Sequence, residues 1–465
     1  MTPLPKVSTF DVKRIAVIGA GPSGLSAAKY LKAQDAFDSI VVYEQQEDIG
    51  GIWNCSKQFS GFGANPEPDS LGTPESRIES DLSSSSSPLY DQLYANIPLP
   101  LMQFSDQPFP PGTALFPSID VVQEYLLKYA KEVRNLIQFG VQVSRVMPLS
   151  CDEKTIWKLE ARSMHDNRTV RVDYDAVVVA TGHYSQAFIP NLKNLTEFKM
   201  AYPSIVSHSR TYRSPLPFRD KKTIVVGNGP SGTDIASQIN RTSMRKTLLS
   251  VRTPTPPPKL AYVGCEEVSE IEEFLVDERG VRFKNGRVER GVDAVIFCTG
   301  YRYDYPFLSS LGTKLITTGH GVHGLYKHIF CIDHPTLAFS ALNRKTAPWP
   351  LSEAQAAVFA AVWSNSIQLP STEEMRRWAN DLYAQQGEQL HLFRTRTADG
   401  HYINDLYEWV KTSAQQGKEP PFWNDITYWH KATFPQVRLK YDLGGCKATS
   451  LEELGFRYES NWREE

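Results

Sequence analysis

The chain has 465 residues, enough for two or three domains at roughly 150 residues each. Hydrophobic residues make up 41% and charged residues 22%, a globular balance, and a net charge of −2 gives no electrostatic case for nucleic acid or an anionic membrane as a partner. The six cysteines (Cys55, Cys151, Cys265, Cys298, Cys331, Cys446) form no CxxC pair, which argues against a dithiol redox centre or a zinc knuckle and fits a reducing, cytoplasmic compartment.

The first residues, MTPLPKVSTFDVKR, lack the apolar run of a secretory signal. Nowhere do 18 apolar residues run together, so no membrane span is expected, and the polar end GFRYESNWREE does not read as an anchor.

Arg14 to Ile18 (RIAVI) reads as a buried strand that runs into a glycine turn and then the helical pattern LSAAKYLKA. Ser39 to Glu44 (SIVVYE) is a second buried strand, completing the β–turn–α–β unit of a parallel sheet. From Ser56 to Pro88 the chain is polar, and its serine run reads as a surface loop. Ile119 to Val133 has the spacing of an amphipathic helix, with Val122, Tyr125, Leu126 and Tyr129 on one face and Ser118 or Asp120 as its cap. Asp173 to Tyr184 (DYDAVVVATGHY) is a further strand ending in a glycine turn.

The pattern then restarts. KKTIVVGNGPSGTDIASQI repeats strand, glycine turn and helix, KTLLSVR repeats the second strand, and GVDAVIFCTGY echoes DYDAVVVATGHY. The repeat is therefore larger than the glycine motif. Further on, LSEAQAAVFAAVWSNSI reads as a helix with Ser352 as N-cap, and the Trp- and Tyr-rich tail as helical or irregular.

In Gly19-Ala20-Gly21-Pro22-Ser23-Gly24 the first glycine allows the tight turn. The second lets a pyrophosphate approach the backbone, and the third lets helix and strand pack closely. The helix N-terminus offers N–H groups and positive dipole to phosphate. Glu44, 20 residues after Gly24, stands where an acid binds ribose hydroxyls. The second copy is Gly227-Asn228-Gly229-Pro230-Ser231-Gly232, and its second strand ends in Ser250 and Arg252 instead of an acid. An arginine there suits the 2′-phosphate of NADPH, which a carboxylate would repel. The fold class expected is α/β with two Rossmann-type dinucleotide-binding domains, one holding FAD and the other delivering hydride from NADPH.

With these motifs the chain resembles the flavin-containing monooxygenases, of the soluble microbial or fungal type, over nearly its whole length. The carrying segments are YEQQEDIGGIWN after the first motif, LYDQLYANIPLPLMQFSDQPFP (Leu89 to Pro110), the ATG and CTGY turns, and HPTLAFSALNRKTAPWPLSEAQA. The family fingerprint FxGxxxHxxx[FY] is matched by Tyr202 to Tyr212: His208 and Tyr212 fit, while Tyr202 replaces Phe and Ser204 replaces Gly, so the local turn is expected to differ. Ketone-oxygenating Baeyer–Villiger relatives have a similar fingerprint ending in Trp, and Tyr212 points away from them.

The resemblance implies that the NADPH domain is inserted into the FAD domain, with crossings at Thr181-Gly182 and Thr299-Gly300. The expected domains are residues 1–190 and 301–465 for FAD and 191–300 for NADPH. It further implies reduction of FAD by NADPH, formation of a C4a-hydroperoxyflavin from molecular oxygen, and oxygen transfer to a soft sulfur or nitrogen nucleophile. Asn96 matches the asparagine such enzymes place beside flavin and NADP⁺; a loop asparagine closing an Asx-turn is its other reading. Gly51 and Trp53 would line the flavin, though Trp53 equally suits core packing. His208 is divided between cofactor contact and structural hydrogen bonding. His183, His323, His328 and His334 lack metal-ligand spacing, so no metal is expected. Candidate pocket segments are Phe59 to Phe62 and the 342–350 loop. A homo-oligomer is compatible with this composition, which does not set the number of copies. Two other readings stand beside the main one: a disulfide reductase, disfavoured by the missing CxxC, and a flavin-binding scaffold without turnover, disfavoured by two intact glycine turns.

Overall fold

The computed structural model describes residues 9–54, 87–151, 154–413 and 417–463. Cys55, the Phe59 to Phe62 segment and most of the serine-rich loop lie outside them.

Two parallel sheets organise the chain. In the first, the order is Leu325–Tyr326, Phe330–Cys331, His334–Phe339, Ala176–Val179, Arg14–Ile18, Ser39–Tyr43, Ile137–Gln138, with the first two strands antiparallel to their neighbours. In the second it is Glu266–Val268, Leu248–Ser250, Thr223–Val226, Ala294–Phe297, Val206–His208, parallel throughout. The repeat thus extends to strand order: each glycine strand lies between its own second strand and its own D-A-V strand. The chain leaves the first sheet after Val179, builds the second, and returns to the first at Leu325.

These strands are short apolar runs because both faces are covered. Ile15 and Val17 enter one core cluster while Ala16 and Ile18 enter the cluster on the opposite face. Ile224 and Val225 divide the same way in the second sheet. On one face of the first sheet the glycine helix Pro22–Ala33 packs against Pro348–Trp363, a helix buried along nearly its whole length, with the Ser26 and Ser352 hydroxyls 3.0 Å apart.

That second helix begins earlier than the sequence indicates. Pro348 and Pro350 both sit in its first turn, where a missing N–H costs nothing. Ser352 is therefore no N-cap. It lies inside the helix, fully buried, and its hydroxyl donates to the Trp349 carbonyl at 2.7 Å. The expected helix at Ile119 runs from Ile119–Tyr129 and ends in two 3-10 turns; Ser118 is its N-cap residue but makes no side-chain cap hydrogen bond. The tail forms three helices, Thr372–Gln386, Ala398–Lys411 and Asp425–Leu443.

The two connections between the sheets pair with each other. Gln186–Ala187 and Tyr301–Arg302 form a two-stranded antiparallel ribbon, with Tyr301 opposite Ala187. Among the described residues no helix is long and apolar enough to cross a membrane.

Candidate functional site

The two glycine turns are built alike, atom by atom. Gly19 and Gly227 have φ of +103° and +101°, a left-handed region that favours glycine. Each donates its N–H at 2.8 Å to the end of the neighbouring strand, Gly19 to the Tyr43 carbonyl and Gly227 to that of Ser250. A Cβ on Gly19 would lie 2.7 Å from the Ala180 carbonyl oxygen, and one on Gly227 would lie 2.9 Å from that of Cys298. A Cβ on Gly24 or Gly232 would come within 1.8 or 1.9 Å of the first glycine's oxygen. The first and third glycines are thus fixed by the protein itself.

The middle glycine is different. A Cβ on Gly229 would meet nothing within 4 Å, and Gly229, Pro230 and Ser231 are exposed. Space is kept there that no protein atom fills, in front of a helix whose N-cap is glycine with no side-chain cap. That is the geometry a pyrophosphate needs. At the first turn Gly21 faces Gly51, whose own Cβ would lie 3.1 Å from the Gly21 Cα, and Pro22 and Ser23 are half-buried. Gly51 has φ +59° and opens the 3-10 turn Gly51–Trp53, so the GGIW segment roofs the first turn; Trp53 is half-buried and packs on the core below.

Glu44 is 4% exposed. Its Oε2 accepts the Ala20 N–H at 2.7 Å and its Oε1 the Gln46 N–H at 2.9 Å. Burial raises its pKa, and these N–H groups offset part of that rise. The carboxylate is locked to the glycine turn, with remaining lone pairs for a ribose.

At the second turn Asn228 donates from Nδ2 to the Thr253 carbonyl at 2.8 Å and to Thr255 Oγ1 at 2.9 Å, tying the strand-end loop to the turn. Arg252 precedes that loop and is exposed, and no described carboxylate pairs with it. Ser250 does not share this exposure. It is 1% exposed and its hydroxyl donates to the Ser269 carbonyl at 2.9 Å.

His208 makes structural hydrogen bonds. Its Nε2–H donates to the Gly300 carbonyl at 3.1 Å and its Nδ1 accepts the Arg210 N–H at 3.1 Å. Both ring nitrogens are spent on backbone, and burial pushes the pKa down to about 4. It therefore holds the crossing through backbone hydrogen bonds. Thr299 acts beside it, its hydroxyl donating to the Phe188 carbonyl across the ribbon. Gly182 and Gly300 have φ of +69° and +83°, while Thr181 and Gly182 are exposed at the end of their strand. The fingerprint's Ser204 is exposed in its turn and has no positive φ, so this turn does not need the family glycine. Tyr212 is buried, its hydroxyl donating to Gln238 Oε1 at 3.0 Å.

Asn96 is exposed on a clamped backbone. The preceding Ala95 donates its N–H to the Pro117 carbonyl at 2.8 Å and accepts Arg438 Nη1 at 2.9 Å. Among the described residues its amide closes no Asx-turn.

A family model described as flavin-binding monooxygenase-like matches residues 75–256 and 262–446. The chain belongs to this family. The NAD(P)-binding Rossmann-like domain matches residues 17–66, across the first glycine turn. The thiol-specific monooxygenase of Saccharomyces cerevisiae is 31% identical over 374 residues, 78% of this chain and 79% of that one. The flavin-containing monooxygenase FMO GS-OX-like 9 of Arabidopsis thaliana is 33% identical over 384 residues, 80% of either chain. Among solved structures, S-allyl-L-cysteine S-oxygenase from Allium sativum superposes with a TM-score of 0.76 over 96% of this chain and 98% of that one, at 24% identity, which speaks for the fold. As a flavin-binding monooxygenase the chain is an oxidoreductase, with FAD and NADPH as its cofactors, and the two cradles described above fit two dinucleotides.

Sequence reasoning misses one buried network. Glu353, fully buried in the helix Pro348–Trp363, accepts the Ser105 N–H at 2.8 Å and the Ser105 hydroxyl at 2.9 Å, with Lys418 Nζ at 3.8 Å. This pins the FSD segment to that helix. A lone glutamate in the apolar run EAQAAVFAAVW was the available signal.

Proposed function

We propose that this flavin-binding monooxygenase uses NADPH and molecular oxygen to oxygenate a sulfur or nitrogen atom of a small molecule, taking the domains as 1–190 with 301–465 for FAD and 191–300 for NADPH. The observation that carries the reading is the pair of cradles with unlike strand ends, a buried carboxylate at Glu44 and an exposed guanidinium at Arg252. The first is suited to a ribose diol and the second to a 2′-phosphate.

When bound, the flavin supplies the electrons that activate oxygen. The chain's own residues bind and orient. Gly19, Gly21 and Gly24, with Pro22 and Ser23 opening the helix, hold one pyrophosphate, and Gly227, Gly229 and Gly232, with Pro230 and Ser231, hold the other. Gly51 closes over the first, Trp53 supports it, and Thr181 with Gly182 borders the flavin side. Asn96 presents an uncharged amide that donates to the oxygen being transferred or to the nicotinamide. His208 and Thr299 set the crossing at Gly300, and so the approach of one cofactor to the other.

Sulfur is favoured over nitrogen by the name of one relative, the thiol-specific monooxygenase of Saccharomyces cerevisiae. The sparse cysteines suit a cytoplasmic setting. The test is a panel of methyl phenyl sulfide, a tertiary amine and a cyclic ketone with NADPH and air. Sulfoxide or N-oxide, with NADPH consumed one for one, supports the proposal. Lactone from the ketone as sole product refutes it in favour of Baeyer–Villiger chemistry.

A further inference from the structure

The strand His334–Phe339 ends beside the first crossing, with Phe339 paired to Val179 and Ser340 donating its N–H to the Val179 carbonyl at 3.0 Å. The segment that follows therefore lies at the carboxyl ends of two adjacent parallel strands, where open α/β sheets place ligands. It carries Arg344.

Arg344 is held from behind. Its N–H donates to the His391 carbonyl at 2.7 Å and its Nη2 donates to Gln389 Oε1. Its Nε is buried with no hydrogen-bond partner. A second guanidinium, Arg302, lies over the Phe188 ring at 4.3 Å and also has a buried, partnerless Nε. Neither forms an ion pair with any described Asp or Glu; Glu388, whose charge also reaches His320, is taken up by the Thr317 and Thr318 hydroxyls and by His323. Both lie close enough to His320 to lower its pKa, after burial itself.

The neighbouring imidazoles bring no compensating charge. His391 Nε2 accepts the Val322 N–H at 3.0 Å, so its proton is on Nδ1 and is donated to His328 Nδ1 at 3.0 Å; both rings are neutral. Burial and Arg344 together push His183 down to about 4. Two guanidinium groups partly withdrawn from water without an acid are a standing cost that an incoming oxyanion removes. The planar fork of arginine matches a carboxylate with two parallel hydrogen bonds.

We propose that Arg344, with Arg302 on the return crossing as a second positive charge toward His320, anchors the carboxylate of the substrate, so that the sulfur oxygenated belongs to a small thioether or thiol that also carries an acid group. This rests on the sulfur-oxygenation reading above. The same oxyanion chemistry has a second source, the phosphates of the dinucleotides, and the test separates the two.

The steady-state kcat/KM is measured for a thioether acid and for its methyl ester, in the wild-type holoenzyme and in Arg344→Met. NADP⁺ affinity by fluorescence titration and the flavin absorption spectrum are recorded alongside. The wild type should prefer the acid by about ten- to a hundredfold, the worth of one charge-assisted contact. Arg344→Met should abolish that preference through a raised KM for the acid alone, with NADP⁺ affinity and the flavin spectrum unchanged. Equal use of acid and ester by the wild type overturns the proposal, and so does a loss of NADP⁺ affinity with selectivity intact, which assigns the site to phosphate. If Arg344→Met does not fold, Arg302→Met must shift selectivity in the same direction or the proposal fails. Oxygenation of neither compound, with an amine oxidised instead, sinks the sulfur reading itself and this inference with it, whereas turnover of both without discrimination sinks only the inference.

Discussion

His208 donates from Nε2 to the Gly300 carbonyl at 3.1 Å, and this hydrogen bond ties the family fingerprint to the return crossing between the two sheets. The same carbonyl accepts the Phe188 N–H at 2.9 Å from the outgoing crossing, so one peptide oxygen joins three segments. His208→Ala should leave FAD bound, because nothing at the first glycine turn changes. It should lower stability by about 1–3 kcal/mol, the cost of leaving the buried Arg210 N–H without its acceptor, while the Gly300 carbonyl keeps the Phe188 N–H. Flavin reduction by NADPH in anaerobic stopped-flow should slow while reduction by dithionite stays normal. Normal reduction by NADPH would contradict the hinge role.

The glycines of the second turn should separate in a thermal melt. Gly227→Ala places a Cβ 2.9 Å from the Cys298 oxygen at φ +101° and should lower Tm measurably, with about 1–2 kcal/mol from the backbone conformation alone. Gly229→Ala has an ordinary φ of −66° and open space around the new methyl, so its stability should stay within about 1 kcal/mol of wild type. Its affinity for NADPH should nevertheless fall about ten- to a hundredfold, because the methyl occupies the phosphate's approach.

Arg252→Ala tests the 2′-phosphate assignment. NADPH should lose about ten- to a hundredfold in kcat/KM, the worth of one charge-assisted pair, and NADH should change little. Equal losses for both would contradict the assignment.

Glu353 predicts a pH dependence of folding. Burial, the largest influence, raises its pKa to about 7, against 4.5 for an ordinary glutamate. The folded state thus holds the proton more tightly than the unfolded state. Its contribution is fully present below the unfolded value and is lost as pH rises toward 7, a change on the order of 3 kcal/mol. Glu353→Gln should remove that fall, so the difference in unfolding free energy between the two proteins should vary across this window and flatten above it. Parallel profiles would contradict it.

The glycine strand Arg14–Ile18 is found where its β-branched run indicates, and both turns, their helices and the D-A-V strands were legible for the same reason: a parallel strand buried on both faces writes an unbroken apolar run. The antiparallel strands Val141–Cys151, Lys154–Ser163 and Thr169–Tyr174 were not, because polar and apolar residues mix along them and their turns carry no strong signal. Ser250 and His208 sit at the right place in sequence for cofactor contact, but their side chains turn into the fold, and sequence position does not fix that direction. Arg344 lies in the 342–350 loop that the sequence offers as a pocket segment, but nothing in the sequence singles it out there. Its significance lies in lacking an acid partner, a relationship between segments far apart in the chain.

The most direct test of the central claim is the origin of the oxygen atom in the product. The enzyme is given NADPH, a thioether and ¹⁸O₂ in unlabelled water, and the sulfoxide is analysed by mass spectrometry. The account predicts one ¹⁸O atom per sulfoxide, with the second atom of O₂ leaving as water and one NADPH consumed. Unlabelled product, or NADPH consumption that yields only hydrogen peroxide, would contradict it.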